Sequence, residues 1–315
     1  MKITVLDRNT VTLGDIDFSV FDQFGDVTFY DAMDNSLIAD CIADAEAVIC
    51  NKAKITAEIM DKCPNLKYVG LFATGYNNVD TDYATEKGIT VCNAPGYSRD
   101  SVVQHVFSLL LQIAGSIGKY DDFVKSGNWT LSPLFSCFPF PIIELAGKTM
   151  GIIGYGDIGK KVASVAEALG MKVVISTRTK PEGSRYDVLT KDELFAVADV
   201  ISLNCPLNKE TEKLINKRTL SLMKKNAILI NTSRGGVIDE YALADALNNG
   251  DIFAAGLDVL TEEPMSKDCP LINAKNCIIT PHTAWASLEA RERLVKLVCE
   301  NLSAFMEGKT INKVN

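Results

Sequence analysis

The chain alternates short apolar runs with stretches of helical periodicity, and these fall into two successive series. The first series has apolar runs at residues 3–6, 47–49, 68–72 and 89–91, with helical stretches near 36–42 and 56–63. The second has apolar runs at residues 150–153, 172–176, 200–203, 227–230, 254–257 and 277–279, separated by intervals long enough for helices. Because strands that alternate with helices build parallel sheets, the pattern predicts an α/β fold with two doubly wound parallel sheets.

The residues between the two series, 93–96, read Asn-Ala-Pro-Gly and indicate a domain boundary. A long helical pattern follows at 101–117, and another one at 287–307 lies beyond the second sheet. A chain of 315 residues is long enough for about two domains of roughly 100 to 200 residues each. The sequence therefore predicts two domains, and the last helix is a candidate to return to the first of them.

The composition argues against several classes of protein. Hydrophobic residues make up 47% and charged residues 23%, which is typical of a globular protein. A formal net charge of −8 provides no basic face for nucleic acid, and no apolar run approaches the roughly 20 residues that span a bilayer. The amino terminus turns charged at Asp7 and Arg8, unlike a signal peptide, and the nine cysteines form no Cys-x-x-Cys pair. We expect a cytoplasmic protein without a metal site, a nucleic-acid partner or a membrane segment.

A glycine-rich segment, residues 154–159 (GYGDIG), follows the apolar run that ends at 153 and opens a helical pattern at 160–169. In the dinucleotide-binding fold, the first glycine allows a tight turn, the second lets a pyrophosphate approach the backbone, and the third allows the helix to pack closely on the strand. The helix amino terminus offers unpaired N–H groups to the phosphate. The segment predicts nucleotide binding through Gly154, Gly156 and Gly159.

The next strand distinguishes between the two nicotinamide cofactors. Where NAD is bound, this fold carries an acid about 20 residues further on, which holds the ribose 2′-hydroxyl. Here the strand is followed by Thr177, Arg178 and Thr179. The missing carboxylate removes repulsion toward a 2′-phosphate, and the arginine with its two hydroxyl neighbours supplies donors, which favours NADP over NAD. The alternative is that Arg178 and Lys180 are solvated loop charges and that NAD binds without an acid.

Residues 231–236 (NTSRGG) follow the strand predicted at 227–230. This is the carboxyl edge of the sheet, where open α/β folds bind their ligands. The glycines let the backbone turn away, Thr232 and Ser233 offer hydroxyls to a cofactor, and Arg234 presents a planar fork that suits a carboxylate. The alternative is a structural arginine that pairs with an acid such as Asp239.

Two further strand ends, in residues 256–264 (GLDVLTEEP) and 280–287 (TPHTAWAS), carry acids and a histidine: Asp258, Glu262, Glu263 and His282. Carbonyl reduction by hydride transfer needs an arginine that orients the substrate acid, a histidine that gives a proton, and a carboxylate that stabilises the protonated histidine. His282 is therefore the predicted proton donor. The only other histidine, His105, lies among apolar residues at helical spacing, so we expect it to be a packed or interdomain residue.

Taken in order, the segments GYGDIG, NTSRGG, GLDVLTEEP and PHTAWAS resemble those of the D-isomer-specific 2-hydroxyacid dehydrogenases, and the resemblance runs through essentially the whole chain. PGYSRDSVVQHVFSLLL, PIIELAGKTMGIIGYG and PHTAWAS are most similar to the branch of glycerate dehydrogenases and of hydroxypyruvate and glyoxylate reductases. The resemblance implies two Rossmann-like domains. A smaller, discontinuous substrate-binding and catalytic domain would comprise residues 1–98 and 287–315, and a dinucleotide-binding domain would comprise 99–286.

The resemblance also implies roles for individual residues. The catalytic groups fall on Arg234, Glu263 and His282, with Glu262 as a solvated neighbour. Arg234 and His282 would also bind the substrate, together with the amides of Thr74 and Gly75, which would hold its carboxylate. Beyond the glycines and the turn at 177–179, cofactor contacts fall on a further set: Asp157, Ile158, Cys205, Pro206, Thr211, Thr232 and, at the carboxamide, Asp258.

We therefore expect an NAD(P)-dependent dehydrogenase that reduces a small 2-ketoacid, hydroxypyruvate or glyoxylate, to the D-2-hydroxyacid. The resemblance implies a homodimer built by the helix at 101–117 and an arm at 119–145. The aromatic-rich arm needs covering in any case, and a lid over the site is its competing use. The open alternatives are a formate- or phosphite-type enzyme, a lactate- or phosphoglycerate-type dehydrogenase, and an NAD(H)-sensing corepressor of the same fold. The formate branch usually has a glutamine where Glu263 stands.

Overall fold

The structure is a computed structural model that describes residues 1–32, 34–179 and 183–315. The chain divides into two compact units, one formed by Met1–Ser98 together with Trp285–Asn315 and the other by Arg99–Ala284. The chain rejoins the first unit at Trp285, two residues before the boundary that the resemblance implied.

The first unit contains a five-stranded sheet. Its strands are β1 (Lys2–Val5), β2 (Asp26–Phe29), β3 (Ala47–Cys50), β4 (Tyr68–Leu71) and β5 (Thr90–Cys92). Its helices are α1 (Ile38–Cys41), α2 (Ala57–Asp61), α3 (Thr81–Glu86) and, near the end of the chain, α10 (Leu288–Met306). All neighbouring strands pair in parallel, in the order β2-β1-β3-β4-β5.

The core of this unit explains its sequence pattern. β3 and β4 are buried along their whole length, so they read as continuous apolar runs rather than as alternating ones. On α10, the residues at helical spacing, Leu294, Val298 and Leu302, are fully or almost fully buried and belong to one cluster with Phe21 and Phe72. The pattern missed β2, because this edge strand alternates exposed and half-buried residues.

The second unit contains a seven-stranded sheet. Its strands are β6 (Thr149–Ile153), β7 (Lys172–Ser176), β8 (Asp187–Val188), β9 (Val200–Leu203), β10 (Ile228–Asn231), β11 (Ala254–Leu257) and β12 (Cys277–Ile279). Its helices are α4 (Arg99–Gly115), α5 (Ile117–Lys125), α6 (Asp157–Ala168), α7 (Lys191–Val197), α8 (Lys217–Leu222) and α9 (Glu240–Asn249). All neighbours pair in parallel, in the order β12-β11-β10-β9-β6-β7-β8.

The predicted fold class, an α/β protein with two parallel sheets, is confirmed. The six strands predicted for the second sheet all occur, and the two-residue edge strand β8 was missed. The single helix predicted at 101–117 was wrong at its carboxyl end. α4 ends at Gly115 because Ser116 takes a left-handed conformation with φ of 50°, and α5 starts at the next residue.

Within the described ranges, no single helix has the length and apolar character needed to cross a membrane, and α4 with α5 meets that criterion only as a pair bent by 54°.

Candidate active site

The carboxyl edge of the second sheet has a topological switch between β6 and β9. From β6 the chain continues through β7 to β8 on one side of the sheet, and β9 then lies on the other side. The loops after β6 and β9 therefore diverge, and the crevice between such loops is where open α/β sheets bind ligands. Residues 154–159 lie directly after β6, at this crevice.

Each of the three positions in this segment requires glycine for a different structural reason. Gly154 has a φ of 91°, and a Cβ on it would lie 2.7 Å from backbone atoms of Asn204 and Cys205. A Cβ on Gly159 would lie 2.2 Å from the carbonyl oxygen of Gly154, so only glycine lets α6 start this close to β6. At Gly156, by contrast, nothing lies within 4 Å of that position. A pyrophosphate needs such open space at a helix amino terminus, so these residues fit a dinucleotide.

The first turn of α6 begins with Asp157, which is exposed, and Ile158, which is half-buried. Across the crevice, the loop after β9 starts with the buried Cys205 and the exposed Pro206. Burial raises the pKa of the Cys205 thiol, so this group stays protonated and neutral. The structure therefore brings these four predicted contacts to one crevice.

Thr211, also predicted to contact the cofactor, has a hydroxyl that is bonded within its own loop. Its side chain is buried, and its hydroxyl donates to the carbonyl of Pro206 at 2.6 Å and accepts the N–H of Asn208 at 2.9 Å. The hydroxyl is thus used by the loop itself. Thr211 fixes the shape of the loop that carries Cys205 and Pro206.

Asn204 is not among the residues predicted from the sequence, but it lies at the same crevice. Its Nδ2 donates to the carbonyl and the hydroxyl of Ser202, at 3.2 and 3.1 Å, whereas its buried Oδ1 has no hydrogen-bond partner among the described residues. A buried acceptor without a partner costs on the order of 1–3 kcal/mol. A ligand donor in the crevice would satisfy it. Its position in the sequence, between a buried strand and Cys205, is the feature from which a ligand contact could have been predicted.

The end of β7 carries the residues predicted to select NADP. Thr177 is half-buried, and Arg178 and Thr179 are exposed. Arg178 has no hydrogen bond or ion pair to another described residue, and Lys180 lies outside the described residues. The N–H of Gly154 donates to the carbonyl of Ser176 at 3.0 Å, so this turn begins beside the glycine-rich segment.

The loop after β10 is shaped by Asn231, which is fully buried. Its Oδ1 accepts the N–H and the hydroxyl of Ser233 at 3.0 and 2.8 Å, and its Nδ2 donates to the carbonyl of Arg234 at 2.9 Å. Thr232 between them is half-buried. In the sequence, Asn231 is marked only as the first residue of the segment 231–236, whereas in the structure it fixes the backbone of Arg234.

Arg234 is exposed, and its Nη1 donates to the carbonyl of Ser233 at 2.7 Å. It makes no ion pair with any described residue. Asp239 instead accepts the N–H of Ala242 at the start of α9 and lies 3.7 Å from Lys213. The structural pairing of Arg234 with Asp239 was therefore wrong, and the guanidinium is available to a ligand.

Gly235 brings the arginine loop against the loop after β11. A Cβ on Gly235 would lie 1.8 Å from the carbonyl carbon of Leu260 and 2.3 Å from the nitrogen of Thr261, so the two backbones touch. The N–H of Leu260 in turn donates to Oε1 of Glu263 at 2.9 Å. The contact between the backbones of Gly235 and Leu260 thus fixes the positions of both Arg234 and Glu263.

His282 and Glu263 form a close pair, with 2.6 Å between Nδ1 and Oε2. Their side chains are 30% and 36% exposed, so both can reach a ligand. His282 has a φ of 56°, uncommon for histidine, and its N–H donates to the carbonyls of Asp258 and Thr280 at 2.9 and 3.0 Å. Of the two adjacent acids, the structure brings Glu263 to the histidine and leaves Glu262 exposed.

Asp258 is only 1% exposed and holds the loop that carries His282. Its carboxylate accepts the hydroxyl of Thr280 at 2.6 Å and the N–H groups of residues 283 and 284 at 2.9 and 2.8 Å. His105, on α4, has its Nε2 2.8 Å from the Thr280 hydroxyl and 3.4 Å from Oδ1 of Asp258. His105 is therefore a partly buried support within the second unit.

Thr74 and Gly75 belong to the first unit and lie in the loop after β4. The Thr74 hydroxyl donates to the carbonyl of Ala94 at 2.8 Å. Across the described chain, neither backbone N–H of Thr74 and Gly75 donates to another group. Adjacent unpaired amides of this kind are suited to bind a carboxylate.

The first sheet has a switch of its own, between β1 and β3, but a side chain fills it. Asp7, at the end of β1, accepts the N–H groups of Asn51, Lys52 and Ala53 at 2.9, 2.6 and 2.6 Å. Burial raises the pKa of this carboxyl. The chain's own carboxylate takes the place of an anionic ligand there, so the open switch is the one in the second unit.

The comparisons with known proteins agree with this geometry. The family model for the D-isomer specific 2-hydroxyacid dehydrogenase, NAD binding domain, matches residues 107–284. The chain is 45% identical to a hydroxypyruvate reductase of Blautia hydrogenotrophica over 100% of both chains, and 40% identical to a glycerate dehydrogenase of Methylorubrum extorquens over 88% of each.

Among solved structures, the chain is similar to an NADPH-dependent glyoxylate/hydroxypyruvate reductase from Sinorhizobium meliloti in complex with NADP and malonate. The TM-score is 0.84 and the identity 30%, covering 99% of this chain and 96% of that one. The resemblance seen in the sequence motifs is confirmed. The chain belongs to the D-isomer-specific 2-hydroxyacid dehydrogenase family, in the branch that contains hydroxypyruvate reductases, glycerate dehydrogenases and glyoxylate reductases.

Proposed function

We propose that this oxidoreductase reduces hydroxypyruvate to D-glycerate and glyoxylate to glycolate, with NADPH as the preferred cofactor. The observation that carries the proposal is the 2.6 Å contact between Nδ1 of His282 and Oε2 of Glu263, on a loop packed against that of the exposed Arg234. A 2-ketoacid offers a carboxylate for the guanidinium and a carbonyl oxygen that must gain a proton. The names of its relatives support the same substrate class.

The part of each residue follows from its charge and contacts. The bound nicotinamide would supply the hydride that reduces the carbonyl carbon. Arg234 binds the substrate carboxylate through its planar fork, and the amides of Thr74 and Gly75 donate to that carboxylate. A carboxylate can only accept, so Glu263 keeps a proton on Nδ1 of His282 and stabilises the positive ring. Nε2 then gives its proton to the carbonyl oxygen, and in oxidation it takes that proton back.

The proposed cofactor contacts surround the crevice between β6 and β9 and the end of β7. NADP is favoured because the turn at 177–179, directly after β7, contains no acid, and because Arg178 is exposed without a partner among the described residues. The NADP complex of the Sinorhizobium meliloti reductase supports this choice. The contacts proposed are those of Gly154, Gly156, Asp157, Ile158, Gly159, Thr177, Arg178, Thr179, Cys205, Pro206, Thr232 and Asp258, with Thr211 behind them.

The cofactor proposal is tested with Arg178→Ala. Loss of a charge-assisted bond to the 2′-phosphate should lower kcat/KM for NADPH about tenfold or more, with little change for NADH. Arg218→Ala is the matched control, because Arg218 is an exposed arginine of the same unit that pairs with Asp192 at 2.7 Å instead. A wild-type preference for NADH would contradict the proposal.

We further propose a cytoplasmic homodimer. Six large apolar side chains in one short arm are exposed: Trp129, Leu131, Leu134, Phe135, Phe138 and Ile142. Apolar patches of this kind are normally covered by a partner, and a second copy would cover them. Nine free cysteines suit a reducing compartment. Light scattering should give the mass of a dimer for wild type and of a monomer for Phe135→Asp; a monomeric wild type would favour a lid.

The substrate proposal is tested with a panel of 2-ketoacids offered to the purified protein with NADPH and with NADH. Hydroxypyruvate and glyoxylate should give the highest kcat/KM, and chiral analysis should find D-glycerate. Preferred turnover of pyruvate would contradict the proposal and favour a lactate-type dehydrogenase, and preferred turnover of a phosphorylated ketoacid would favour a phosphoglycerate-type dehydrogenase.

A further inference from the structure

We propose that three asparagines, Asn93, Asn301 and Asn312, act as the positioning element of the loop at Thr74 and Gly75. We refer to them as the asparagine chain. The inference rests on the proposed function, in which the amides of that loop bind the substrate carboxylate. It names residues that hold the carboxylate-binding loop and so determine how tightly the carboxylate is bound.

The first amide is oriented through the peptide that joins Ala73 and Thr74. The carbonyl of Ala73 accepts the N–H of Ala94 at 2.8 Å. This peptide is trans, so its carbonyl and its N–H point in opposite directions across one plane. Fixing the Ala73 carbonyl toward Ala94 therefore directs the Thr74 N–H away from it.

The second amide is oriented in the same manner by a side chain. Nδ2 of Asn93 donates to the carbonyl of Thr74 at 2.7 Å, so the N–H of Gly75, in the same peptide plane, points away from Asn93. The Thr74 hydroxyl adds a bond to the Ala94 carbonyl at 2.8 Å. Residues 93 and 94 thus hold the two peptide planes that carry the carboxylate donors.

Asn93 is in turn held by the other two members of the asparagine chain. Its carbonyl accepts Nδ2 of Asn301 at 2.8 Å, and its N–H donates to the carbonyl of Asn312 at 3.1 Å. Nδ2 of Asn312 donates to Oδ1 of Asn301 at 2.8 Å, which closes the network.

Asn301 is the informative member because it is 1% exposed on the apolar face of α10. Its helical neighbours on that face, Val298 and Leu302, are completely buried, so a leucine would continue the pattern. A buried amide is tolerated only where its hydrogen bonds are made, and here both its donor and its acceptor are used for the asparagine chain. The polar residue serves the segment that orients Thr74.

This arrangement predicts a specific kinetic signature. Without the Asn93 side chain, the peptide between Thr74 and Gly75 is free to rotate, and the carboxylate loses a fixed donor. Neither the proton of His282 nor the cofactor crevice is touched. The KM for the ketoacid should rise while kcat and cofactor affinity stay close to wild type.

The test compares Asn93→Ala and Asn312→Gly with Asn315→Ala as the matched control. Asn312 has a φ of 54°, so glycine removes its bond to Asn301 without backbone strain. Asn315 fastens the same terminal segment by bonds to Val91 and Ile89, both 2.8 Å, but lies outside the asparagine chain. Asn93→Ala should raise the KM for glyoxylate and the Ki for oxamate about tenfold, and Asn312→Gly about threefold. The Kd for NADPH and the kcat should change less than about threefold.

The control variant Asn315→Ala distinguishes a role in orienting the loop at Thr74 and Gly75 from a role in stabilising the fold alone. Asn315→Ala should lower the melting temperature as much as Asn312→Gly does and leave the KM unchanged. The inference is overturned if folded Asn93→Ala keeps the wild-type KM, or if Asn315→Ala raises it equally. If Asn93→Ala does not fold, an unchanged KM in Asn312→Gly overturns it. A wild-type protein that reduces no 2-ketoacid refutes the proposed function itself, which is a separate result.

Discussion

Replacing Gly235 by alanine tests the backbone contact that places Arg234 and Glu263 together. The added methyl group would lie 1.8 Å from the carbonyl carbon of Leu260 and 2.0 Å from its oxygen. Both are backbone atoms, so no side-chain rotation relieves the overlap. The loop after β10 and the loop after β11 must move apart.

The size of that movement follows from the distances. Ordinary contact begins at 3.4 Å, so the loops must separate by the difference from 1.8 Å, about 1.6 Å. A misplacement of about 1 Å in a catalytic group costs on the order of 100-fold in rate. We therefore expect kcat/KM for hydroxypyruvate to fall by about 100-fold or more, and the free energy of unfolding by about 1–3 kcal/mol.

The assay follows oxidation of the reduced nicotinamide, with melting temperature and NADPH affinity measured alongside. Gly236→Ala is the control, since its added methyl meets only the flexible side chain of Leu207, at 2.9 and 3.3 Å. That variant should stay within about threefold of wild type. Wild-type kcat/KM in Gly235→Ala would refute the reasoning, because the contact would then not determine the geometry of the site.

Three further predictions follow from other contacts. Glu263→Gln keeps the shape of the pair but removes the charge beside His282, so kcat for reduction should fall about 10- to 100-fold while the Kd for NADPH stays unchanged; wild-type kcat in this variant would contradict the role of Glu263. His105→Asn should lower the free energy of unfolding by about 1–2 kcal/mol and leave kcat within about threefold, and an intact fold with a large fall in kcat would disprove it. The Arg291 guanidinium lowers the pKa of Asp15 below its usual 3.8, so the pair stabilises the fold above that pH and the contribution is lost as pH falls. Asp15→Asn should therefore have a lower urea midpoint than wild type at pH about 6, and the deficit should shrink steadily as the pH falls below 3.8, whereas a deficit that does not change with pH would argue against the ion pair.

The sequence predicted the strands and the catalytic residues best where the local apolar pattern and the sheet topology agree. Buried parallel strands read as apolar runs, and the carboxyl ends of such strands share one edge, so Arg234, Glu263 and His282 could be expected close together from their positions after three strands. The apolar pattern did not predict the edge strands β2 and β8, because β2 is half-exposed and β8 has only two residues. Nothing in the local sequence at Ser116 predicted that α4 ends there.

The supporting residues could not be predicted because their roles depend on distant contacts. Asn301 bonds to a residue 208 positions earlier in the chain, and no local pattern signals that pairing. Asn231 was taken only as the start of a motif and Asp258 only as a contact of the carboxamide, whereas their buried side chains also fix the backbone of Arg234 and the loop that carries His282. Thr211 was assigned to the cofactor, and its hydroxyl holds its own loop.

The most direct test of the account is the rate of NADPH oxidation with hydroxypyruvate, for wild type and for His282→Gln, together with the Kd for NADPH. The wild type should reduce hydroxypyruvate to D-glycerate. His282→Gln should lose about 100- to 10,000-fold in kcat with an unchanged Kd, because only proton transfer is removed. Equal rates in the two proteins, or a wild type that binds the cofactor and reduces no 2-ketoacid, would contradict the account.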